Sequence, residues 1–117
     1  MHVEVRKVKD VVVVDLQGRL LAGVGDEILR GVVNELLAEG WKKILLNLSE
    51  VTAIDSAGTG ELVASHKICE RFGAKLTLLN LHERVRKSLH LSQLLPVFEV
   101  YDDERVALRH YEEKRAH

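Results

Sequence analysis

The sequence predicts an α/β domain: a mixed, mostly parallel sheet of about five strands with four helices, in the order β-β-α-β-α-β-α-β-α. Three observations carry this prediction. The runs Val3 to Val8 and Val11 to Leu16 are rich in β-branched residues and meet at a short polar turn. From Val24 onward, stretches with apolar residues at helical spacing alternate with short apolar runs. The chain has 117 residues, 46% of them apolar and 30% charged, with a formal net charge of −1, which suits a single soluble domain over residues 1–117. At that length roughly two-thirds of the unfolded surface can be buried, so a core forms without disulfides or metal.

Near the start, Val3 and Val5, followed by Val8, interleave with polar residues at the period of a strand with one wet face, and this strand is expected at an edge. After a Lys9-Asp10 turn, Val11 to Leu16 is nearly all apolar, as in a central strand covered on both faces, with Asp10 and Asp15 as charged gatekeepers. Val24, Ile28, Val32 and Leu36, with Leu29, Val33 and Leu37 beside them, mark an amphipathic helix stopped by Gly40. Ile44 to Leu48 reads as a buried strand. The segment Asp55 to Gly60 (DSAGTG) then opens a second helix with Leu62, Cys69 and Phe72 inward and Gly73 past its end. Lys75 to Leu79 is a strand, Glu83 to His90 a short helix, and Val97 to Tyr101 a last strand. Asp102 to Tyr111 is a closing helix capped by an Asp, and residues 112–117 read as a frayed tail. In sheets of this kind sites gather at the carboxyl ends of strands, which directs attention to Ser49 to Gly60.

Composition removes several classes of function. The single cysteine, Cys69, cannot form an internal disulfide, which points to a reduced cytoplasm. No apolar run approaches the roughly 20 residues of a membrane span, and the amino-terminal MHVEVRKVKD lacks a signal peptide's hydrophobic stretch. Seventeen Lys and Arg against eighteen Asp and Glu give no excess positive charge for a phosphate backbone, so nucleic acid is not expected as a partner. The five aromatics are too scattered to form a stacking platform. Phosphate-loop, dinucleotide and nucleophile-elbow patterns are all unmet. Of six histidines none pairs at metal-ligand spacing, and His66-x-x-Cys69 offers two ligands where a site needs three or four. Cys69 reads as a small core hydrophobe, Asp102-Asp103 as helix-start charge and Glu112-Glu113 as a solvated tail. No catalytic residue, cofactor or metal is expected.

The segment DSAGTG is where chemistry could sit. Asp55 or Ser56 can cap the free amides of a first helical turn. Gly58 and Gly60 lower helix propensity by about 1 kcal/mol each relative to alanine, and they let another surface approach closely. On residue types alone, a plain capped turn is the favoured explanation, because Ser and Asp are the usual N-cap residues and Gly is common in loops.

The chain resembles the STAS domains, whose simplest members are bacterial anti-sigma factor antagonists. The resemblance rests on DSAGTG at Asp55 to Gly60, preceded by KKILLNLSEV, together with QGRL at Gln17 to Leu20, GAKLTLLNL at Gly73 to Leu81, and Val85 to Leu108. It implies a cytoplasmic binding module in transcription regulation rather than an enzyme. It also implies that Ser56 is phosphorylated by a partner that is both a serine kinase and an anti-sigma factor. The unphosphorylated form binds that partner, phosphorylation releases it, and a phosphatase resets the switch. The expected partner-binding residues are Asp55, Ser56, Ala57, Gly58, Thr59, Gly60 and Glu61 with Arg19, Leu21 and Gly23 of the preceding loop.

Two positions depart from the family pattern. Leu21 stands where the antagonists commonly carry an Asp, and it either marks an apolar docking patch or tucks into the core. Thr59 replaces an apolar residue and is expected to alter the surface beside Ser56. These departures leave open a regulatory subunit of a membrane transporter without phosphorylation, or a component of a stressosome-type scaffold. Pairing of the chain with a second copy also stays open.

Overall fold

The structure, a computed structural model, describes residues 1–115. Strands His2–Val8 (β1) and Val11–Leu20 (β2) form an antiparallel hairpin around Lys9-Asp10, with Lys9 at φ 57°. Helix Gly25–Ala38 (α1) leads to strand Lys43–Ile54 (β3), helix Ser56–Arg71 (α2) and strand Lys75–Leu79 (β4). Helix Glu83–Leu91 (α3), a 3-10 turn at Leu95–Val97, the short strand Val100–Tyr101 (β5) and helix Glu104–Arg115 (α4) complete the order. The sheet runs β1-β2-β3-β4-β5, with β2 to β5 parallel and only β1 reversed. The predicted fold class and element order are those observed.

Alternation along the strands decides which helix packs where. Val12, Val14 and Leu16 of β2 and Ile44, Leu46 and Leu48 of β3 point to one face, against Leu29, Val33 and Leu36 of α1, Leu62 and Cys69 of α2, and Val85 and Leu89 of α3. Val11, Val13 and Leu45 point to the other face, where α4 supplies Ala107 and Tyr111. Both faces of β2 are therefore dry, which is why its sequence is apolar without interruption from Val11 to Val14. The Tyr111 hydroxyl lies 2.8 Å from the Ile44 carbonyl oxygen and 3.1 Å from that of Lys75, donating into this pair across β3 and β4. On the same face the Arg6 guanidinium bridges Asp15 (Nε to Oδ2, 2.6 Å) and Glu104 (Nη2 to Oε1, 2.7 Å), fastening the hairpin to the start of α4. This pairing, first with Arg6 and then with the Asn47 amide, holds the Asp15 carboxyl below its ordinary range.

Several boundaries differ from the sequence reading. β2 is one strand in from the edge, and the middle place belongs to β3. β3 continues six residues beyond Leu48, through Ile54, because parallel pairing with β2 persists to Leu20↔Ile54. The last strand shrinks to two residues because the 3-10 turn at Pro96 takes up Val97. The Asp that caps α4 is Asp103, whose Oδ1 accepts from the Arg105 amide at 2.8 Å. α4 runs to Arg115, past the expected end at Tyr111; of the expected frayed tail, residues 116–117 lie outside the described residues. Phe72, expected inward, is 55% exposed: it is the residue at which α2 leaves helical geometry before Gly73 turns at φ 71°. Val24 is 62% exposed because it precedes the first turn of α1 rather than belonging to its apolar stripe.

Candidate functional site

The carboxyl ends of β2 and β3 lie side by side, so the loop leaving β2 and the first turn of α2 occupy the same corner of the sheet. Asp55 joins them. Its Oδ1 accepts from the Gly58 amide at 2.9 Å, capping α2, and its Oδ2 accepts from the Ala22 amide at 2.9 Å. One side chain therefore satisfies a free helix amide and anchors a loop 33 residues earlier in the chain. The Ala22 amide first, and the Gly58 amide next, hold the Asp55 carboxyl below its ordinary range.

Glycines let this corner close. A Cβ on Gly58 would stand 2.1 Å from the Leu20 carbonyl oxygen, and one on Gly25 would stand 2.4 Å from that of Arg19. Both helix starts thus press directly onto the backbone that ends β2. Gly60 differs, since a Cβ there would meet nothing within 4 Å. The close approach expected of the glycines is made within the chain, at Gly58.

Ser56 is exposed as the first residue of a sixteen-residue helix. Arg19, Gly23 and Gly60 are exposed around it, while Asp55, Ala57 and Leu21 are half-buried. Leu21 therefore falls between the two alternatives its position had offered. Gly58, Thr59 and Glu61 are buried. Thr59, expected to change the surface beside Ser56, is only 5% exposed and turns toward α3, its Oγ1 lying 3.5 Å from Ser88 Oγ. Glu61 faces α1, where Arg30 Nε donates to its Oε1 at 2.8 Å. Glu61, five residues past Ser56, is carried by helical phase onto α1, whereas Thr59, three residues on, keeps nearly the phase of Ser56 and is buried because α3 covers it. Val24 is an exposed apolar residue at the rim that the sequence reading had assigned to the core. Its signal was the following Gly25-Asp26, a helix start.

Elsewhere, Cys69 is fully buried and burial pushes its thiol up to about 11. Among the described residues no group of three His, Cys, Asp or Glu side chains could hold a metal ion. No helix among them is long and apolar enough to cross a membrane.

Because two amides favour the ionised form of Asp55, its folded pKa lies below its unfolded one. Its contribution to stability is complete above the unfolded value and fades as pH falls through the folded one. A carboxyl-carbon NMR titration is expected to place the Asp55 midpoint below the ordinary aspartate value of 3.8, with faster exchange of the Ala22 and Gly58 amides as the group protonates. A midpoint at or above that value would show that the loop tether is not formed in solution.

A parallel sheet whose strand end delivers an Asp-capped, serine-bearing helix beside a glycine-seated loop is the arrangement of a STAS domain. Residues 2–107 match the STAS domain family, and the chain belongs to it. It is 37% identical over 71 residues to a Thermotoga neapolitana protein provisionally named an anti-sigma factor antagonist, a match spanning 61% of the chain and 63% of that relative, slightly under two-thirds of its length. Among solved structures it is similar to a Thermotoga maritima protein, also provisionally named an anti-sigma factor antagonist, with a TM-score of 0.84, 29% identity and 92% of each chain covered. The fold also matches the anti-sigma factor antagonist SpoIIAA. The unphosphorylated form superimposes with a TM-score of 0.78 at 22% identity over 96% of this chain and 97% of that one. For the phosphorylated form of the Bacillus protein the TM-score is 0.72 at 22% identity, over 94% and 99%. The chain thus shares its fold and family with anti-sigma factor antagonists.

Proposed function

We propose that the chain is an anti-sigma factor antagonist whose docking to an anti-sigma factor with serine kinase activity is controlled by phosphate on Ser56. The observation that carries this reading is the exposure of Ser56 at the first position of α2, at the corner that also exposes Arg19 near the end of β2 and Gly23 of the loop after it. A phosphoryl group there adds roughly 1.5 to 2 negative charges at the positive end of a helix, a placement favourable by about 0.3 to 1 kcal/mol, so the domain itself tolerates it. A partner packed over the same turn has to bury that charge beside Asp55, and it is rejected. Relatedness to anti-sigma factor antagonists, and the solved phosphorylated form of SpoIIAA, support the reading. Removal of the phosphate by a phosphatase restores docking.

The test is incubation of the full chain with the cognate kinase and ATP, followed by peptide mass spectrometry. One phosphate on Ser56 is expected. Modification confined to any other residue overturns the assignment.

A further inference from the structure

A groove of about 450 Å³ opens between the β1–β2 turn and α4. It borders Val11, the first residue of β2, and so lies at the opposite end of the parallel strands from Ser56. Its floor is apolar, made by Val8, Val11 and Leu108 at the margin of the smaller core. Its charged rim divides into two groups. The carboxylates are already engaged: Lys9 Nζ donates to Glu112 at 2.7 Å, which also pins the turn to α4, and Lys43 Nζ donates to Asp10 at 2.7 Å. The remaining cations are Arg105 and Arg109, four residues apart and therefore on one face of α4. Arg105 has Asp103 no nearer than 3.9 Å and an 89% exposed side chain, and among the described residues Arg109 pairs with no carboxylate.

We propose that this groove binds a medium-chain carboxylate, with its hydrocarbon over Val8, Val11 and Leu108 and its head group between Arg105 and Arg109. The volume falls within the roughly 300 to 1,000 Å³ of small-molecule sites. An apolar floor alone would accept any hydrocarbon. The two guanidinium forks on the rim select an anion and match the planar geometry of a carboxylate. The site is separate from the Ser56 corner and does not depend on the regulatory reading.

Octanoate titrated into the isotope-labelled full chain, below its micellar range, is expected to give saturable shifts of the Val8, Val11 and Leu108 amides. Octanol and octylammonium, with the same chain and a different head, are expected to bind at least about tenfold more weakly. The double variant Arg105→Ala with Arg109→Ala changes exposed side chains, so the dispersion of its spectrum checks that it folds; it should lose octanoate affinity to the same degree. Leu108→Gln should weaken octanoate and octanol alike. Shifts that do not saturate, shifts centred away from the groove, equal affinity for octanol, or no change in the double variant would each overturn the proposal.

Discussion

Gly58→Ala is expected to destabilise the domain by about 2 to 4 kcal/mol. In most helices the exchange is stabilising by about 1 kcal/mol, because alanine is the better helix former. Here the added Cβ would stand 2.1 Å from the Leu20 carbonyl oxygen and 3.0 Å from Ile54 Cγ1. The first contact is with backbone that ends β2, so no side-chain rotation relieves it. Either α2 lifts off the sheet or the end of β2 shifts, and both movements break the Asp55 bonds to Gly58 and Ala22. Gly60→Ala is the control: its Cβ meets nothing within 4 Å, so its expected effect is neutral to slightly stabilising. Urea unfolding of the two variants separates them. Equal midpoints would mean that the contact at Gly58 relaxes at no cost.

The second large effect concerns docking. Ser56→Asp should bind the anti-sigma kinase a few hundredfold more weakly than Ser56→Ala, corresponding to about 3 to 4 kcal/mol of uncompensated charge burial. The two variants should differ in stability with the opposite sign. Aspartate at the first position of α2 meets the positive end of the helix and gains about 0.3 to 1 kcal/mol over alanine. An affinity that falls while the melting temperature holds or rises separates an electrostatic switch from misfolding. Titration calorimetry of both variants against the kinase, beside thermal unfolding, reads both quantities. Indistinguishable affinities would remove charge as the controlling variable.

The corner around Ser56 was only half legible in the sequence. Asp55 as cap and Ser56 at a helix mouth follow from local chemistry, because N-cap preference is decided within a few residues. That Asp55 also accepts from Ala22 was not readable, since the bond joins positions 33 apart that meet only when β2 and β3 pair in register. Thr59 and Glu61 were expected among the contact residues, but their burial depends on where α3 and α1 lie. Phe72 and Val24 fit a helical stripe by count, and both are exposed because a stripe holds only while the backbone is helical.

The sequence by itself determined the order of elements, the reversed first strand and the burial of β2 on both faces. These depend on hydrophobic period and on turn residues, which act over a few neighbours. Only the tertiary structure decided that Gly58 seats α2 on Leu20, that one carboxylate ties the start of α2 to the loop after β2, and which members of the DSAGTG segment face water. Those outcomes depend on distances between segments far apart in the chain, which exist only once the sheet has set its register.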